Sequence, residues 1–300
     1  ILASNTSYLN IDVLAEASGR PADVCGMHFF NPANVMKLLE NVRAAKTNPE
    51  VVATIMAFGK KIGKLPVLSG VCDGFIVNRM LAKRSREGFF LIEEGAAPDA
   101  IDKVVLGFGF PMGPFALGDL AGLDVQAAAR KAREASMSPR ELRASFPEQM
   151  VAAGRLGQKT NAGWYKYDEN RRATPDPEVA ALIKQTAMEA GIPQREISAQ
   201  EIVERCVYAL INEGAKILAE GFALRASDID IVYLNGYGFP AWRGGPMWYA
   251  DTVGVKNVYD RVCEFHAAHG AWWEPAPLLK QLAETGGTFA AWDKAKGTNQ

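Results

Sequence analysis

Short apolar runs and amphipathic stretches of helical period alternate through the first part of the chain. Residues 1–3 are apolar and lead into the polar stretch Ser4-Asn5-Thr6-Ser7, the pattern of a strand ending in a loop. Residues 11–18 carry helical spacing that Gly19 stops. The apolar run 24–30 predicts a buried strand closed by Asn31-Pro32, and a second run, 36–42, predicts a strand able to return beside it. Asn48-Pro49 reads as an N-cap followed by a first-turn proline for a helix over 50–62, with a closing strand at 64–68. Such alternation points to an α/β sheet.

At Asp73-Gly74 the period changes, and nearly everything beyond is helical. Helices are predicted over 75–94, 98–106, 116–135 and 139–152; 163–167 is a short extended piece and 174–177 reads as a linker. Helices resume at Glu178. This part contains an internal repeat. Glu94-Gly95, Ile101-Asp102 and Gly107-Phe108-Gly109-Phe110-Pro111 match Glu220-Gly221, Ile229-Asp230 and Gly236-Tyr237-Gly238-Phe239-Pro240. A Gly-Pro pair follows each copy, at Gly113-Pro114 and Gly245-Pro246. Two copies of one helical unit can stack and bury a common face.

Composition adds bounds rather than an answer. With 300 residues, 48% hydrophobic and 22% charged, the chain has material for two or three globular domains. A net charge of −1, its signs interspersed, argues against a nucleic-acid-binding surface. No apolar run is long enough to predict a transmembrane segment. The chain starts at Ile1 without an initiator methionine and reads as the later part of a longer polypeptide. Cys25, Cys72, Cys206 and Cys263 are widely spaced and lack CxxC pairing, so reduced thiols are expected and the compartment is read as cytoplasmic. The terminal stretch 297–300 is not a peroxisomal address. Cys263, His266 and His269 share a predicted helix, but no acidic or cysteine set completes a site there, and no metal is expected.

The chemistry concentrates at His28 and Glu40. Returning strands would bring this carboxylate to one ring nitrogen, fixing the tautomer and leaving the other nitrogen to take a proton. The bland reading is a core histidine satisfied by a neighbour. Asn5 and Ser7 sit at the mouth of a strand-to-helix loop, and His28 and Asn31 at the end of the next strand, where open α/β sheets bind ligands. Asn78 lies early in a long apolar helix, either as a satisfied core amide or aimed at a ligand.

Taken in order, Ser4-Asn5-Thr6-Ser7, His28-Phe29-Phe30-Asn31-Pro32, Glu40, Gly74-Phe75-Ile76-Val77-Asn78-Arg79 and Gly109-Phe110-Pro111-Met112-Gly113-Pro114 resemble the L-3-hydroxyacyl-CoA dehydrogenase family over essentially the whole chain. The second helical copy and the segment 157–165 are similar to the larger multifunctional fatty-acid oxidation enzymes, in which an enoyl-CoA hydratase part precedes the dehydrogenase. The resemblance implies the second half of a Rossmann-type NAD-binding domain, then a duplicated all-α 6-phosphogluconate-dehydrogenase-like C-terminal domain. Its implied divisions are 1–72, 73–170 and 171–300. It also implies NAD-dependent oxidation of L-3-hydroxyacyl-CoA to 3-ketoacyl-CoA in β-oxidation. His28 would be the general base, oriented by Glu40. Ser7 and Asn31 would lie by the nicotinamide; Ser7 and Asn78 would hold the reacting oxygen, with the second copy contributing Asn235 through its Asn235-Gly236-Tyr237 turn. The implied partners are an acyl-CoA substrate, a second copy in a homodimer and a thiolase subunit.

The sequence departs from the family in lacking the GxGxxG phosphate-binding turn and the acidic residue that holds the adenine ribose. The chain is therefore expected to be inactive alone. Asn161 stands where relatives often carry glycine, which bears on a local turn only. Three other readings remain open: a stand-alone short-chain 3-hydroxybutyryl-CoA dehydrogenase with a duplicated C-terminal domain, a non-catalytic acyl-CoA-binding or structural relative, and a helical dimerisation module using the Trp-rich stretch 241–248.

Overall fold

The computed structural model describes residues 1–297, which form two compact units. One comprises Ile1–Lys83 together with the chain from Val207 onward; the other is Arg84–Cys206. Residues 298–300, on which the address expectation bears, lie outside the described residues.

In the first unit, β1 (Leu2–Ser4), α1 (Ile11–Ala17), β2 (Val24–Phe29), β3 (Leu38–Arg43), α2 (Pro49–Lys61) and β4 (Leu65–Gly70) follow in order. The four strands form one sheet in the order β1-β2-β3-β4. β1 and β2 are parallel, β2 and β3 antiparallel, and β3 and β4 parallel. Alternate residues point to opposite faces, which separates two cores. Ile11 and Ala15 of α1 pack with Val24, Val42, Ala44 and Phe75; Val51 and Ile55 of α2 pack with Cys25, Met27 and Leu39. Gly26 makes the first of these possible, because a Cβ there would stand 2.8 Å from Val42 Cβ and 3.3 Å from Ile11 Cδ1.

The helical part begins with α3 (Val77–Glu93), two residues later than the apolar period suggests. The delay has a backbone cause: Gly74 and Phe75 both take left-handed conformations, with φ of 75° and 52°. In the second unit, α4 (Pro98–Phe108), α5 (Pro114–Ala121) and α6 (Leu123–Lys131) follow. The expected helix over 116–135 is broken at Gly122, whose φ is 100°. Likewise, the expected 139–152 helix is two helices, α7 (Pro139–Arg143) and α8 (Phe146–Ala152), since Pro147 cannot donate to a preceding turn. The linker region is partly ordered: β5 (Tyr165–Tyr167) pairs with β6 (Ala173–Pro175), and the Asp176 side chain accepts from Glu178 N at the start of α9 (Pro177–Glu189). Asn161 takes φ 54°, a left-handed turn position that asparagine tolerates in place of glycine.

The remaining helices are α10 (Ala199–Ala219), α11 (Ala226–Gly236), α12 (Pro246–Val253), α13 (Val255–His269), α14 (Pro277–Thr285) and α15 (Phe289–Gly297). No described helix is long and apolar enough to cross a membrane. The internal repeat is reproduced as capping chemistry. Asp102 accepts from Phe115 N and Ala116 N at the start of α5, and Asp230 from Met247 N and Trp248 N at the start of α12. Each aspartate satisfies helix-terminal donors that nothing within the helix can reach.

Candidate active site

The β2–β3 register places His28 directly opposite Glu40. Both side chains are buried, His28 at 4% exposure and Glu40 at 0%. Glu40 Oε2 lies 2.9 Å from His28 Nδ1. An ionised carboxylate only accepts, so Nδ1 carries a proton in this arrangement, and in the neutral ring Nε2 keeps its lone pair. The Ser7 hydroxyl, from the loop after β1, is 3.1 Å from that Nε2. The chain thus presents a hydroxyl, an imidazole and a carboxylate in line.

The other carboxylate oxygen of Glu40 accepts from Ile76 N at 3.0 Å and Val77 N at 3.1 Å. Both donors stand at the N-terminus of α3, where unpaired N–H groups and the helix dipole favour a negative charge. The left-handed Phe75 turns the chain so that these successive donors face the sheet. Its ring, 1% exposed, lies 5.8 Å from the His28 ring, and Phe30 covers the imidazole more closely at 4.5 Å. Asn5 fixes the neighbouring strand end, its Oδ1 accepting from Phe29 N at 3.0 Å.

Asn78, in the first turn of α3, accepts at Oδ1 from the Tyr237 hydroxyl at 3.1 Å. Tyr237 follows α11, whose end lies close against β3: a Cβ on Gly236 would stand 2.7 Å from Leu38 Cδ2. The Tyr237 ring also meets Phe30 edge-on at 6.5 Å. Asn235, the second-copy residue singled out in the sequence, instead donates back to Ile231 O of its own helix at 2.9 Å. Asn31 is exposed at a cis Asn31–Pro32 bond. His266 Nδ1 lies 3.1 Å from Gly270 O at the end of α13, and the His269 ring packs on Phe265. The Ile76 and Val77 donors and the Phe75 turn escaped the sequence reading, because backbone groups leave no side-chain signature; Gly74 was the only hint.

Comparison with known proteins is consistent along the chain. Residues 1–72 match the family model for the 3-hydroxyacyl-CoA dehydrogenase NAD binding domain. The model for the C-terminal domain of the same dehydrogenases matches twice, at 74–167 and 202–291. The peroxisomal bifunctional enzyme of Danio rerio is 45% identical over 303 residues, covering 95% of this chain and 42% of that protein. The glyoxysomal fatty acid beta-oxidation multifunctional protein MFP-a of Brassica napus is 38% identical over 295 residues, covering 97% and 41%. This chain therefore spans less than half the length of these curated relatives. Among solved structures, 3-hydroxybutyryl-CoA dehydrogenase from Escherichia coli matches with a TM-score of 0.79 at 26% identity, over 97% of this chain and 76% of that one. The cytoplasmic expectation is overturned, since these relatives are peroxisomal and glyoxysomal proteins. Its basis was too weak: free cysteines, of which Cys25 and Cys206 are buried, report a compartment that leaves thiols reduced and do not say which one. The double match of the C-terminal model, the NAD-binding match and the identity to curated relatives together place the chain in the 3-hydroxyacyl-CoA dehydrogenase family.

Proposed function

We propose that this chain carries the proton-transfer and substrate-orienting part of an NAD-dependent L-3-hydroxyacyl-CoA dehydrogenase acting in fatty-acid β-oxidation. The observation that carries the reading is the aligned set Ser7, His28 and Glu40, with Nε2 facing the Ser7 hydroxyl at its open end. In this reading the substrate 3-hydroxyl displaces the Ser7 contact and gives its proton to His28 Nε2. Glu40 keeps the imidazole in the productive tautomer and balances the imidazolium that forms. Ser7 and the Asn78 amide hold the 3-oxygen, which aligns C3 for reaction. Phe30 and Phe75 keep water from the back of the ring.

Bound NAD would supply the acceptor for the hydride leaving C3. The residues present fit one end of it. Ser7 and Asn31, at the ends of β1 and β2, suit the nicotinamide carboxamide. The diphosphate has no such cradle here: the loop after β1 holds no glycine, and the N-terminal donors of α1 at Asp12 and Val13 are already taken by Asn10 Oδ1. We therefore read the 300-residue chain as inactive by itself. A second copy and a thiolase subunit are the further partners of this reading, accessible to light scattering and co-purification.

Calorimetric titration with acetoacetyl-CoA and with butyryl-CoA, which lacks the 3-oxygen, tests the assignment on the chain as it stands. Preference for acetoacetyl-CoA, lost in His28→Ala, is the expected result. Equal binding of both ligands would favour a non-catalytic acyl-CoA binder, and binding of neither would remove the substrate assignment.

A further inference from the structure

We propose that Tyr237 is a positioning residue, one that sets the orientation of the Asn78 amide through its hydroxyl and so gives the second helical copy a part in substrate recognition. The inference rests on the proposed acyl-CoA site and extends it to a residue outside the aligned set. An asparagine amide can present either its oxygen or its NH2 group to a ligand, and only its hydrogen-bond partners decide which. The Tyr237 hydroxyl donates to Asn78 Oδ1 at 3.1 Å. That contact occupies the oxygen and turns Nδ2 away from Tyr237. Among the described residues Nδ2 has no protein acceptor, and the side chain lies at 9% exposure, so its two donors remain for a ligand oxygen. A donor is what a 3-oxygen needs as it develops toward a carbonyl or carries negative charge.

The repeat supplies independent support. Tyr237 occupies the position in Gly236-Tyr237-Gly238-Phe239-Pro240 that Phe108 occupies in Gly107-Phe108-Gly109-Phe110-Pro111. In the first copy the phenyl ring is buried at 6% and stacks on Phe110 at 5.8 Å, a packing role that needs no hydroxyl. In the second copy the ring is less buried and sits edge-on to Phe30, the ring that covers His28. One residue is also inserted before the second turn: four residues separate Asp102 from Gly107, and five separate Asp230 from Gly236. The inserted position leaves Tyr237 just beyond the last residue of α11, whereas Phe108 is the last residue of α4. The two copies thus differ at this residue in helix position, in ring packing and in the hydroxyl that only Tyr237 carries.

Tyr237→Phe isolates that hydroxyl, because the ring contacts with Phe30 and Tyr233 are kept. Two readouts on the 300-residue chain decide the matter. In the free protein, nitrogen-15 relaxation of the Asn78 side-chain NH2 should show an ordered amide that becomes mobile in Tyr237→Phe; an unchanged amide overturns the proposal. In titrations, Tyr237→Phe should weaken acetoacetyl-CoA about tenfold, the scale of one lost oriented hydrogen bond, and leave butyryl-CoA unchanged. Equal weakening of both ligands would mean a packing role, and no weakening of either would mean no role; each overturns the proposal. In an Asn78→Ala background the same change should have no further effect. Should wild type fail to distinguish the two ligands, the substrate reading fails, while the relaxation experiment still decides whether Tyr237 orders Asn78.

Discussion

Glu40 ties His28 to the start of α3 with a single carboxylate: one oxygen meets Nδ1 at 2.9 Å while the other accepts from Ile76 N and Val77 N. The imidazole and the helix carrying Asn78 are therefore oriented by the same buried carboxylate. Glu40→Gln cannot serve both unchanged. If the Gln oxygen faces the helix, its NH2 faces Nδ1, which must then accept, and Nε2 takes the proton. If the oxygen faces Nδ1, the NH2 points at two backbone donors. The first arrangement keeps every partner but moves the proton to Nε2, whereas the second leaves buried donors opposed and should cost about 1–3 kcal/mol. Long-range nitrogen-15 NMR of His28 and thermal unfolding check this. Retention of the Nδ1 proton with unaltered stability would refute the coupling.

How much of this was legible in the sequence depended on the kind of signal involved. His28 and Glu40 were readable because two apolar runs flank a turn and antiparallel register follows from them. Ser7 was readable as the loop of a strand-to-helix turn. The Glu40 contact with α3 was not, because it uses backbone N–H groups presented by Phe75 in a conformation that a bulky residue rarely adopts. Asn235 was singled out from its place in the repeated turn, yet it bonds to its own helix, and Tyr237 makes the contact instead. A one-residue insertion rotates successive side chains around a helix end by roughly 100°, which motif matching does not convey. The helix breaks at Gly122 and Pro147 could have been placed from glycine and proline positions, but amphipathic period on both sides masked them.

NAD affinity offers a second check. Asn10 Oδ1 accepts from Asp12 N at 2.8 Å, so this donor at the start of α1 is already taken. No GxGxxG turn replaces it. Calorimetry should show no NAD binding by this 300-residue chain at millimolar cofactor, even where acetoacetyl-CoA binds. Micromolar NAD affinity would show that another part of the chain cradles the diphosphate.

Gly26 faces Val42 across β2 and β3, two residues from His28. A Cβ at this position would lie 2.8 Å from Val42 Cβ, a distance that the strands or α1 must relieve by moving. Gly26→Ala should destabilise the first unit by about 1–3 kcal/mol, the usual scale for overpacking. Denaturant unfolding measures that loss. The paired variant Gly26→Ala with Val42→Ala should recover part of it, and no recovery would mean that Val42 is not the obstructing neighbour.

Within the second unit, Glu94 is held by three arginines. Its oxygens accept from Arg140 at 2.9 Å, Arg195 at 2.6 Å and Arg205 at 2.7 Å. Burial alone would push its carboxyl up, but Arg205, with Arg140 and Arg195, holds it down to about 2 from an ordinary value of 4.5. The sign follows from proton counting. Below 4.5 the unfolded chain takes up a proton that the folded state refuses until about 2. This contribution is therefore complete above 4.5 and is lost as pH falls toward 2. At neutral pH it amounts to about 3 kcal/mol. The adjacent Glu93 is pushed up by burial despite Arg140, so the wild-type acid profile mixes opposite tendencies. Glu94→Gln separates them. The variant should be less stable than wild type at pH 7 in urea unfolding, and the gap should narrow as the pH is lowered from about 4.5 toward 2. A gap that stays constant across that range would show that Glu94 stabilises the unit by packing or neutral hydrogen bonds rather than by its charge.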